Sequence, residues 1–377
     1  MENYTQNFID KHKIPPLGFG LMRLPTLGAD DQIDVEEVKK LVDAYMAAGF
    51  NYFDTAYFYH GGKSEIAVKE AVTKRYPRED FILVDKLAAW SVETEADVEK
   101  VFNEQLDRCG VTHFDIYLLH AINGKFNEKL ENLRAYEFCA KMKAEGKIKS
   151  FGFSFHGTTD DLRHILKHHH EQIDVIQLQL NYFDWLGEYR EQFEIAASYN
   201  KPVICMEPVR GGMLSRLPEK IGDILTQANP AASHASWALR WVASTPGIVN
   251  VLSGMSNIEQ VNDNLATFKN LTLLNEAEHA TIDKVAAALK SMPLIACTSC
   301  NYCKNCPQNI NIPKIFELYN KFLDDRGMYS FNAAYKKEIE ADKKAAACTA
   351  CGICVGVCPQ NIDIPTHLKE ISTLFDQ

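Results

Sequence analysis

The chain has 377 residues and lacks several features that define whole classes of protein. It contains no run of about 18 apolar residues, so it has no candidate transmembrane helix. Residues 1–14 are polar and lack the apolar core of a secretory signal, so we expect a cytoplasmic protein. Lysine and arginine form no block, and the net charge is −10. Both features argue against a nucleic-acid partner and against binding to an anionic membrane surface.

What the chain does contain is the composition of an ordinary globular protein. Hydrophobic residues make up 46% and charged residues 24% of the sequence. No segment is of low enough complexity to predict a long disordered region. A chain of this length exceeds what one hydrophobic core usually organises. We therefore expect one large domain and one small domain.

The cysteines are concentrated near the C-terminus. Eight of the eleven form two runs, each closed by a proline: Cys297, Cys300, Cys303 and Cys306, then Cys348, Cys351, Cys354 and Cys358. The second run has the spacing C-x2-C-x2-C-x3-C-P of bacterial ferredoxins, and the first is one residue shorter before its last cysteine. Each run continues almost identically, as PQNINIP and PQNIDIP. This duplication predicts a module that holds two iron–sulfur clusters.

Two other uses of the cysteines compete with this interpretation. Disulfides are disfavoured in a long chain without an export signal. Zinc is the stronger alternative, although zinc sites usually separate their cysteine pairs by a longer loop. The dense, repeated, proline-closed runs favour cubane clusters. The three remaining cysteines, Cys109, Cys139 and Cys205, are predicted to be small buried hydrophobic residues.

Between residues 15 and 268, short apolar runs alternate with longer segments of helical period. The runs cover 51–56, 81–87, 114–120, 149–154, 174–181, 202–207 and 248–254. The segments between them, such as 35–48 and 127–145, are predicted to be helices. Continuous apolar strands that alternate with helices predict a parallel sheet covered by helices. Seven runs and one more strand from near residue 20 predict an α/β fold, the (β/α)8 TIM barrel.

A doubly wound sheet is the alternative fold. Its dinucleotide-binding form would open on a G-x-G-x-x-G turn, and residues 18–23 fail that pattern. The segment 17–24 is predicted to be a lid, a hairpin or the opening strand. The predicted domains are the barrel at 1–272, a connecting helix at 273–293 and a small α-helical, ferredoxin-like iron–sulfur domain at 294–377.

Four polar residues lie at the ends of the predicted strands, where the active site of such a barrel collects. Asp54 and Tyr59 come from the end of the first run, Lys86 from the second and His120 from the third. We expect these side chains to pair, because buried polar groups cost free energy when they are unpaired. The ammonium would lower the pKa of the tyrosine from about 10, and the histidine would direct a carbonyl oxygen. The set predicts protonation of a carbonyl oxygen while hydride reaches its carbon.

Over roughly residues 15–268 the chain resembles the aldo/keto reductases. The resemblance rests on Asp54 and Tyr59 with the Ser64-Glu65 pair after them, and on Lys86 and His120 at later strand ends. It implies a barrel that binds NAD(P)H in extended form and interconverts a carbonyl and an alcohol. Tyr59 would be the general acid, Lys86 and Asp54 would adjust its pKa, and His120 would orient the carbonyl. The cysteine runs are similar to those of a branch with a C-terminal two-[4Fe-4S] domain.

The resemblance also implies residues that contact the nicotinamide cofactor. Ser154 and Gln177 correspond to the positions that bind the carboxamide. The pyrophosphate and adenosine positions fall at Arg210, Gly211, Gly212, Gly254, Gln260 and Asn264. NADP-specific members often have lysine and arginine where Gly254 and Gln260 stand, and such cations pair with the 2′-phosphate. We therefore expect NADH at least as much as NADPH.

The ligands of the two clusters are implied by the same kind of likeness. In two-cluster ferredoxins the fourth cysteine of each run binds the other cluster. By that pattern one [4Fe-4S] cluster would be held by Cys297, Cys300, Cys303 and Cys358, and the other by Cys348, Cys351, Cys354 and Cys306.

Several functions stay open at this point. The leading prediction is an oxidoreductase that acts on a small-molecule carbonyl or alcohol. In an alternative, the clusters link NAD(P)H to a ferredoxin or flavoprotein partner. The clusters could also be purely structural, and the barrel could sense NAD(P)H without catalysis.

Overall fold

A computed structural model describes residues 2–28, 32–185, 187–323 and 327–376. The chain forms two compact units, one of Met1–Pro208 with Ala238–Leu274, the other of Val209–Trp237 with Asn275–Gln377. The second unit thus includes residues 209–237, which the sequence analysis assigns to the barrel. Among the described residues, no helix combines the length and the apolarity that crossing a membrane requires.

The first unit is built around a closed barrel of parallel strands. The strands in the described residues are β1 (Leu17–Gly20), β2 (Thr26–Leu27), β3 (Gln32–Ile33), β4 (Tyr52–Asp54), β5 (Ile82–Ala88), β6 (Phe114–Ile122), β7 (Ile148–Phe155), β8 (Val175–Gln179), β9 (Val203–Met206) and β10 (Ile248–Ser253). The barrel order is β1-β10-β9-β8-β7-β6-β5-β4. The short strands β2 and β3 pair with each other, antiparallel.

The barrel confirms the predicted (β/α)8 fold and shows that the doubly wound alternative is wrong. Strand β1 supplies the eighth strand of the barrel. Of the lid, the hairpin and the opening strand predicted for residues 17–24, the opening strand is therefore correct. It closes the barrel by pairing with β4 on one side and with β10 on the other. Phe19 lies opposite Phe53, and Leu17 lies opposite Val251.

Helices connect the strands along most of the chain before residue 270. They are α1 (Glu2–His12), α2 (Val35–Ala47), α3 (Ser64–Val68), α4 (Glu95–Cys109), α5 (Gly124–Asn132), α6 (Ala135–Ala144), α7 (Thr159–His169), α8 (Glu188–Ser198), α9 (Glu219–Ala228), α10 (His234–Ala243) and α11 (Ile258–Lys269). The single helix predicted at 127–145 is wrong. Arg134 has a left-handed backbone (φ +51°), which separates α5 from α6.

Helix α4 shows how local sequence sets the helix ends. Thr94 precedes the helix and accepts from the backbone N–H of Asp97, whose carboxylate accepts from the backbone N–H of Thr94 in return. This capping box satisfies two of the backbone donors that every helix start leaves unpaired. Gly110 ends the helix in the left-handed conformation, which glycine adopts without a steric penalty.

Helix α1, which the sequence does not predict, closes the N-terminal end of the barrel. Phe8 and Ile14 are buried in one apolar cluster with Tyr52 and Ile82. Tyr52 and Ile82 are the first residues of β4 and β5, so the cluster lies where the strands begin. The polar residues at the strand ends therefore lie at the opposite end.

The second unit contains the cysteine runs and a small apolar core. Its later helices are α12 (Glu276–Lys290), α13 (Ile312–Phe322), α14 (Gly327–Glu338), α15 (Ile353–Gly356) and α16 (Ile364–Phe375). The duplicated sequence builds a duplicated structure. Asn311 caps α13 and Asp363 caps α16, each by accepting a backbone N–H three residues on. Ile312 and Ile364 follow these caps and are both buried in the shared core.

Candidate active site and cysteine sites

Asp54, Tyr59, Lys86 and His120 meet at the C-terminal end of the barrel. Asp54 ends β4, Lys86 lies in β5, His120 lies in β6, and Tyr59 begins the 3-10 turn after β4. Lys86 Nζ donates to Asp54 Oδ1 at 2.5 Å and to the Tyr59 hydroxyl at 3.3 Å. The rings of Tyr59 and His120 lie edge to face with centroids 5.7 Å apart. The structure thus brings together all four residues that the sequence singled out.

The ammonium of Lys86 is enclosed completely. Lys86 is 0% exposed and Asp54 is 2% exposed. The third donor of the ammonium goes to the backbone carbonyl of Thr55 at 2.7 Å, so each of its three donors has an acceptor. A charge at this depth is tolerated only when it is paired and hydrogen-bonded. The arrangement orients the ammonium toward the tyrosine hydroxyl.

The pKa of Tyr59 departs from the expectation. We expected Lys86 to lower it, but the structure raises it well above its ordinary value. Burial is the main cause, followed by the negative charges of Asp54, Glu207 and Asp85, while Arg23 acts in the opposite direction. Because Asp54 neutralises the ammonium locally, the burial of the phenol dominates. In this state Tyr59 is a neutral hydroxyl that can donate a hydrogen bond.

His120 is held neutral beside the tyrosine. Burial, then the charges of Lys86 and His156, lower the pKa of its imidazole well below the ordinary value. The ring of Trp90 lies 5.3 Å from it, centroid to centroid. A neutral imidazole can offer an N–H donor to a carbonyl oxygen without carrying a charge into the site.

The two predicted carboxamide-binding residues lie in the layer around these four. Ser154 and Gln177 are directly opposite in the pairing of β7 with β8. Gln177 Nε2 donates to Asp54 Oδ2 at 3.0 Å. The Ser154 hydroxyl accepts from the backbone N–H of Ala121 at 2.7 Å, one residue after His120. Both predicted cofactor residues therefore also hold parts of the cluster formed by Asp54, Tyr59, Lys86 and His120.

The predicted adenosine positions lie after β10. Gln260 Oε1 accepts from the backbone N–H of Ser256 at 2.7 Å, and Asn264 Nδ2 donates to Ser253 Oγ at 2.6 Å. Sequence reasoning found no cation here, but the structure brings in Arg23. A Cβ atom added to Gly254 would lie 3.4 Å from Arg23 Cδ. Arg23 comes from the turn after β1, so only closure of the barrel could reveal this neighbour.

The predicted pyrophosphate residues Arg210, Gly211 and Gly212 belong to the second unit. They open a 3-10 segment, Arg210–Ser215, in which both glycines have positive φ angles of 64° and 97°. Arg210 is 3% exposed.

A second buried charge network lies behind Lys86, and sequence reasoning missed it. Glu65 and Asp85 are both fully buried, and the charge of Glu65 acts on Asp85. Burial and the neighbouring Glu65 raise the pKa of Asp85 well above its usual range, which favours the protonated carboxyl at this position. Arg108 Nη1 donates to Glu65 Oε2 at 3.1 Å and balances the remaining charge. The position of Asp85 next to Lys86 on one strand is the sequence signal that could have pointed to this network.

One cavity in the second unit is lined by four thiols of the cysteine runs. These are Cys297, Cys300, Cys303 and Cys358, three from the first run and the last from the second. The remaining walls are mostly apolar and include Ile312, Phe316, Ile362 and Ile364. Four thiols around an apolar cavity are the donor set that a [4Fe-4S] cluster takes. The residues present therefore fit such a cluster.

The other four cysteines form a second group. Burial raises the pKa of the Cys354 thiol, and so do the nearby thiols of Cys348, Cys306 and Cys351. The two runs also share local geometry. Cys297 Sγ accepts from the backbone N–H two residues on at 3.4 Å, and Cys348 Sγ does the same at 3.4 Å. N–H···S hydrogen bonds of this kind influence the potentials of iron–sulfur clusters.

These groups do not converge on single points. Within the described part of the chain, no three histidine, cysteine, aspartate or glutamate side chains are placed to share one metal ion. A cubane does not require such convergence, because each of its four irons takes its own thiolate.

Comparison with known proteins also divides the chain into two parts. Residues 16–287 match the aldo/keto reductase family. Residues 294–363 match a 4Fe-4S dicluster domain.

Individual relatives are distant but cover the barrel. An NADH-specific methylglyoxal reductase of Escherichia coli is 24% identical over 287 residues, 64% of this chain and 85% of that protein. An aldo-keto reductase of Bacillus halodurans in its holo form superposes with a TM-score of 0.58 at 26% identity, over 72% of this chain and 92% of that one. An aldo-keto reductase of Klebsiella pneumoniae in complex with NADPH gives a TM-score of 0.59 at 24% identity, over 72% and 91% of the two chains.

Proposed function

Because the chain belongs to the aldo/keto reductase family and carries a 4Fe-4S dicluster domain, we propose that it interconverts a carbonyl and an alcohol with NAD(P)H, Tyr59 being the general acid. One observation carries the proposal. Lys86 Nζ hydrogen-bonds to both Asp54 and the Tyr59 hydroxyl, so the proton donor, the ammonium and its counter-ion act as one unit. NAD(P)H, when bound, supplies the hydride.

The chain's own residues then manage the proton. Tyr59 is a neutral phenol, so it can donate a hydrogen bond, and then a proton, to a carbonyl oxygen that gains charge. The phenolate that remains is stabilised by Lys86, whose ammonium stays oriented by Asp54 and by the Thr55 carbonyl. Neutral His120 fixes the direction of the carbonyl oxygen through an N–H donor.

We assign the cofactor to the residues named from the sequence. Ser154 and Gln177 would hold the carboxamide, Arg210, Gly211 and Gly212 the pyrophosphate, and Gly254, Gln260 and Asn264 the adenosine. The relatives differ in their nucleotide, since one is NADH-specific and another binds NADPH. Gly254 and Gln260 carry no charge, which supports NADH, whereas the nearby Arg23 supports NADPH.

We also propose that the cysteines hold two [4Fe-4S] clusters in crossed sets. The cavity lined by Cys297, Cys300, Cys303 and Cys358 supports the first set, hereafter the first cluster. The effect of the nearby Cys306, Cys348 and Cys351 on the Cys354 thiol supports the second set, hereafter the second cluster. Bound clusters would supply one-electron transfer.

Steady-state kinetics with a panel of aldehydes and ketones tests the catalytic proposal. Tyr59→Phe should lose roughly 100- to 10,000-fold in kcat, the usual contribution of a general acid. Tyr57→Phe is the matched control, because the Tyr57 hydroxyl donates to Glu104 and not to the catalytic set. Full activity of Tyr59→Phe would show that the mechanism is wrong.

A second candidate function is electron transfer to a ferredoxin or flavoprotein partner. It is favoured by the surface near the second cluster, where Cys351 is exposed and Ile353, Val355 and Val357 are 38–53% exposed. Apolar side chains around an accessible redox centre suit brief contact with another protein. Anaerobic titration of the cluster-loaded protein with NADH is the test. Cluster spectra that never change, with or without such partners, would exclude electron relay.

A further inference from the structure

The loop predicted to bind the pyrophosphate packs directly on the first cysteine run. A Cβ atom at Gly211 would lie 2.8 Å from Thr298 Cα and would overlap the Thr298 carbonyl oxygen. Thr298 is 2% exposed and follows Cys297. Gly211 also has a φ of +64°, so both its backbone and its missing side chain permit this close approach. The two loops are thus in backbone contact within the second unit.

Arg210 adds a charge to that contact. Its side chain is almost fully buried, so water screens the guanidinium weakly. Arg210 precedes Gly211 and Cys297 precedes Thr298, so the close approach of Gly211 to Thr298 brings Arg210 beside the first cysteine run. A positive charge in this loop favours negative charge on a cluster held by that run.

We propose that the Arg210–Gly211 loop couples nucleotide binding to the reduction potential of the first cluster, with the Arg210 guanidinium as the coupling charge. The inference rests on the proposed function for the cluster and for the pyrophosphate position. It assigns this loop a role that a barrel without the cysteine module does not need.

The sign of the coupling follows from charge alone. A reduced cluster carries one more negative charge than an oxidised one, so a nearby guanidinium stabilises the reduced form and raises the potential. A pyrophosphate paired with Arg210 offsets that effect and lowers the potential. Linkage requires the reverse as well, so reduction of the first cluster weakens nucleotide binding by the same factor. A tenfold weakening corresponds to a shift of about 59 mV for a one-electron couple.

The test is an anaerobic redox titration of the full-length, cluster-loaded protein, followed by electron paramagnetic resonance. Cys300→Ser and Cys351→Ser assign the two signals, since each removes one ligand from one set. ADP-ribose and its 2′-phosphate serve as probes, because they carry the pyrophosphate but no nicotinamide and cannot exchange hydride. We expect either probe to lower the potential of the first cluster and to leave the second unchanged. We also expect Arg210→Gln to lower the first potential and Arg210→Lys to restore it.

Arg216→Gln is the control, because it removes the same charge from the exposed residue that follows the same 3-10 segment. Equal shifts in Arg210→Gln and Arg216→Gln, or equal shifts in both clusters, would overturn the inference. So would wild-type protein that binds a probe, shown by calorimetry, without any change in potential. The probe titration needs no variant, so poor folding of Arg210→Gln leaves the test intact. Absence of iron–sulfur signals would instead refute the proposed clusters.

Discussion

Gln177 Nε2 donates to Asp54 Oδ2 at 3.0 Å, while Asp54 Oδ1 accepts from Lys86 Nζ at 2.5 Å. Both oxygens of the carboxylate are therefore held by buried side chains. A residue that the sequence predicts to bind the cofactor therefore also fixes the counter-ion of the Lys86 ammonium. Under the proposed mechanism, a change at Gln177 should affect both nucleotide binding and the chemical step.

Replacement of Gln177 by leucine should therefore lower activity. A hydrogen bond to a charged group is worth about 1.5–3 kcal/mol, so we expect kcat to fall roughly 10- to 100-fold and the KM for the nucleotide to rise. Asn250→Leu is the control, since Asn250 is also a buried amide on a barrel strand but donates to the Pro15 carbonyl. Unchanged kinetics in Gln177→Leu, with nucleotide and carbonyl both varied, would contradict this role.

Replacing only one partner of the Lys86–Asp54 pair should lower the free energy of unfolding more than replacing both. Lys86→Met leaves a buried carboxylate without its ammonium, and such losses cost about 3–5 kcal/mol of unfolding free energy. The double variant Lys86→Met/Asp54→Leu should recover much of that loss, although both variants lose activity. Urea unfolding followed by tryptophan fluorescence measures this. Lys39→Met, which breaks an exposed pair with Glu36, should cost less than about 1 kcal/mol.

Gly152 should tolerate no side chain. A Cβ atom there would overlap the Val175 carbonyl oxygen and lie 2.9 Å from the carbonyl carbon, where β7 pairs with β8. We expect Gly152→Ala to destabilise the barrel by about 3 kcal/mol, because two paired strands would have to separate. At Gly20 the nearest atom to an added Cβ is 3.6 Å away, so Gly20→Ala should change thermal stability little. Equal melting temperatures for Gly152→Ala and Gly20→Ala would refute the steric argument.

Acid should destabilise the protein in part through His156. Burial lowers the pKa of His156 to about 4, whereas an unfolded chain takes up this proton near pH 6.5. The stabilisation is therefore complete above pH 6.5 and is lost as the pH falls toward 4. The ring is partly exposed, so we expect a loss of about 1–2 kcal/mol rather than the full amount. His156→Gln should flatten the profile of unfolding free energy between these values, and substitution of the exposed His168 should not.

Cysteine variants should separate the crossed sets. Anaerobically purified protein should contain about eight iron atoms per chain. Cys297→Ser and Cys358→Ser should lose the same resonance signal, although these residues belong to different runs, and Cys306→Ser should lose the other. Cys139→Ala should keep both, because Cys139 is buried in α6. If Cys358→Ser instead lost the same resonance signal as Cys348→Ser, the losses would follow the two runs. That result would show that the crossed assignment is wrong.

The barrel could be predicted because its signals are local. Each strand is a short apolar run and each helix an amphipathic repeat, so the period along the chain indicates the element. The four catalytic candidates could be found because barrel geometry sends every strand end to one face. The break between α5 and α6 could not be found, because the left-handed residue there is an arginine rather than a glycine. Helix α1 escaped notice because its polar sequence does not show that Phe8 packs into the end of the barrel.

By itself, the sequence determined the alternating barrel, the strand-end residues and the duplicated cysteine runs. All of these are encoded by spacing within short segments. The tertiary structure alone decided which distant groups meet. It placed Gln177 on Asp54, Arg23 beside Gly254, the Glu65–Asp85 pair behind Lys86, and Gly211 against Thr298. It also reversed the expected pKa shift of Tyr59, because burial and net local charge depend on everything that packs around a group and not on its neighbours in sequence.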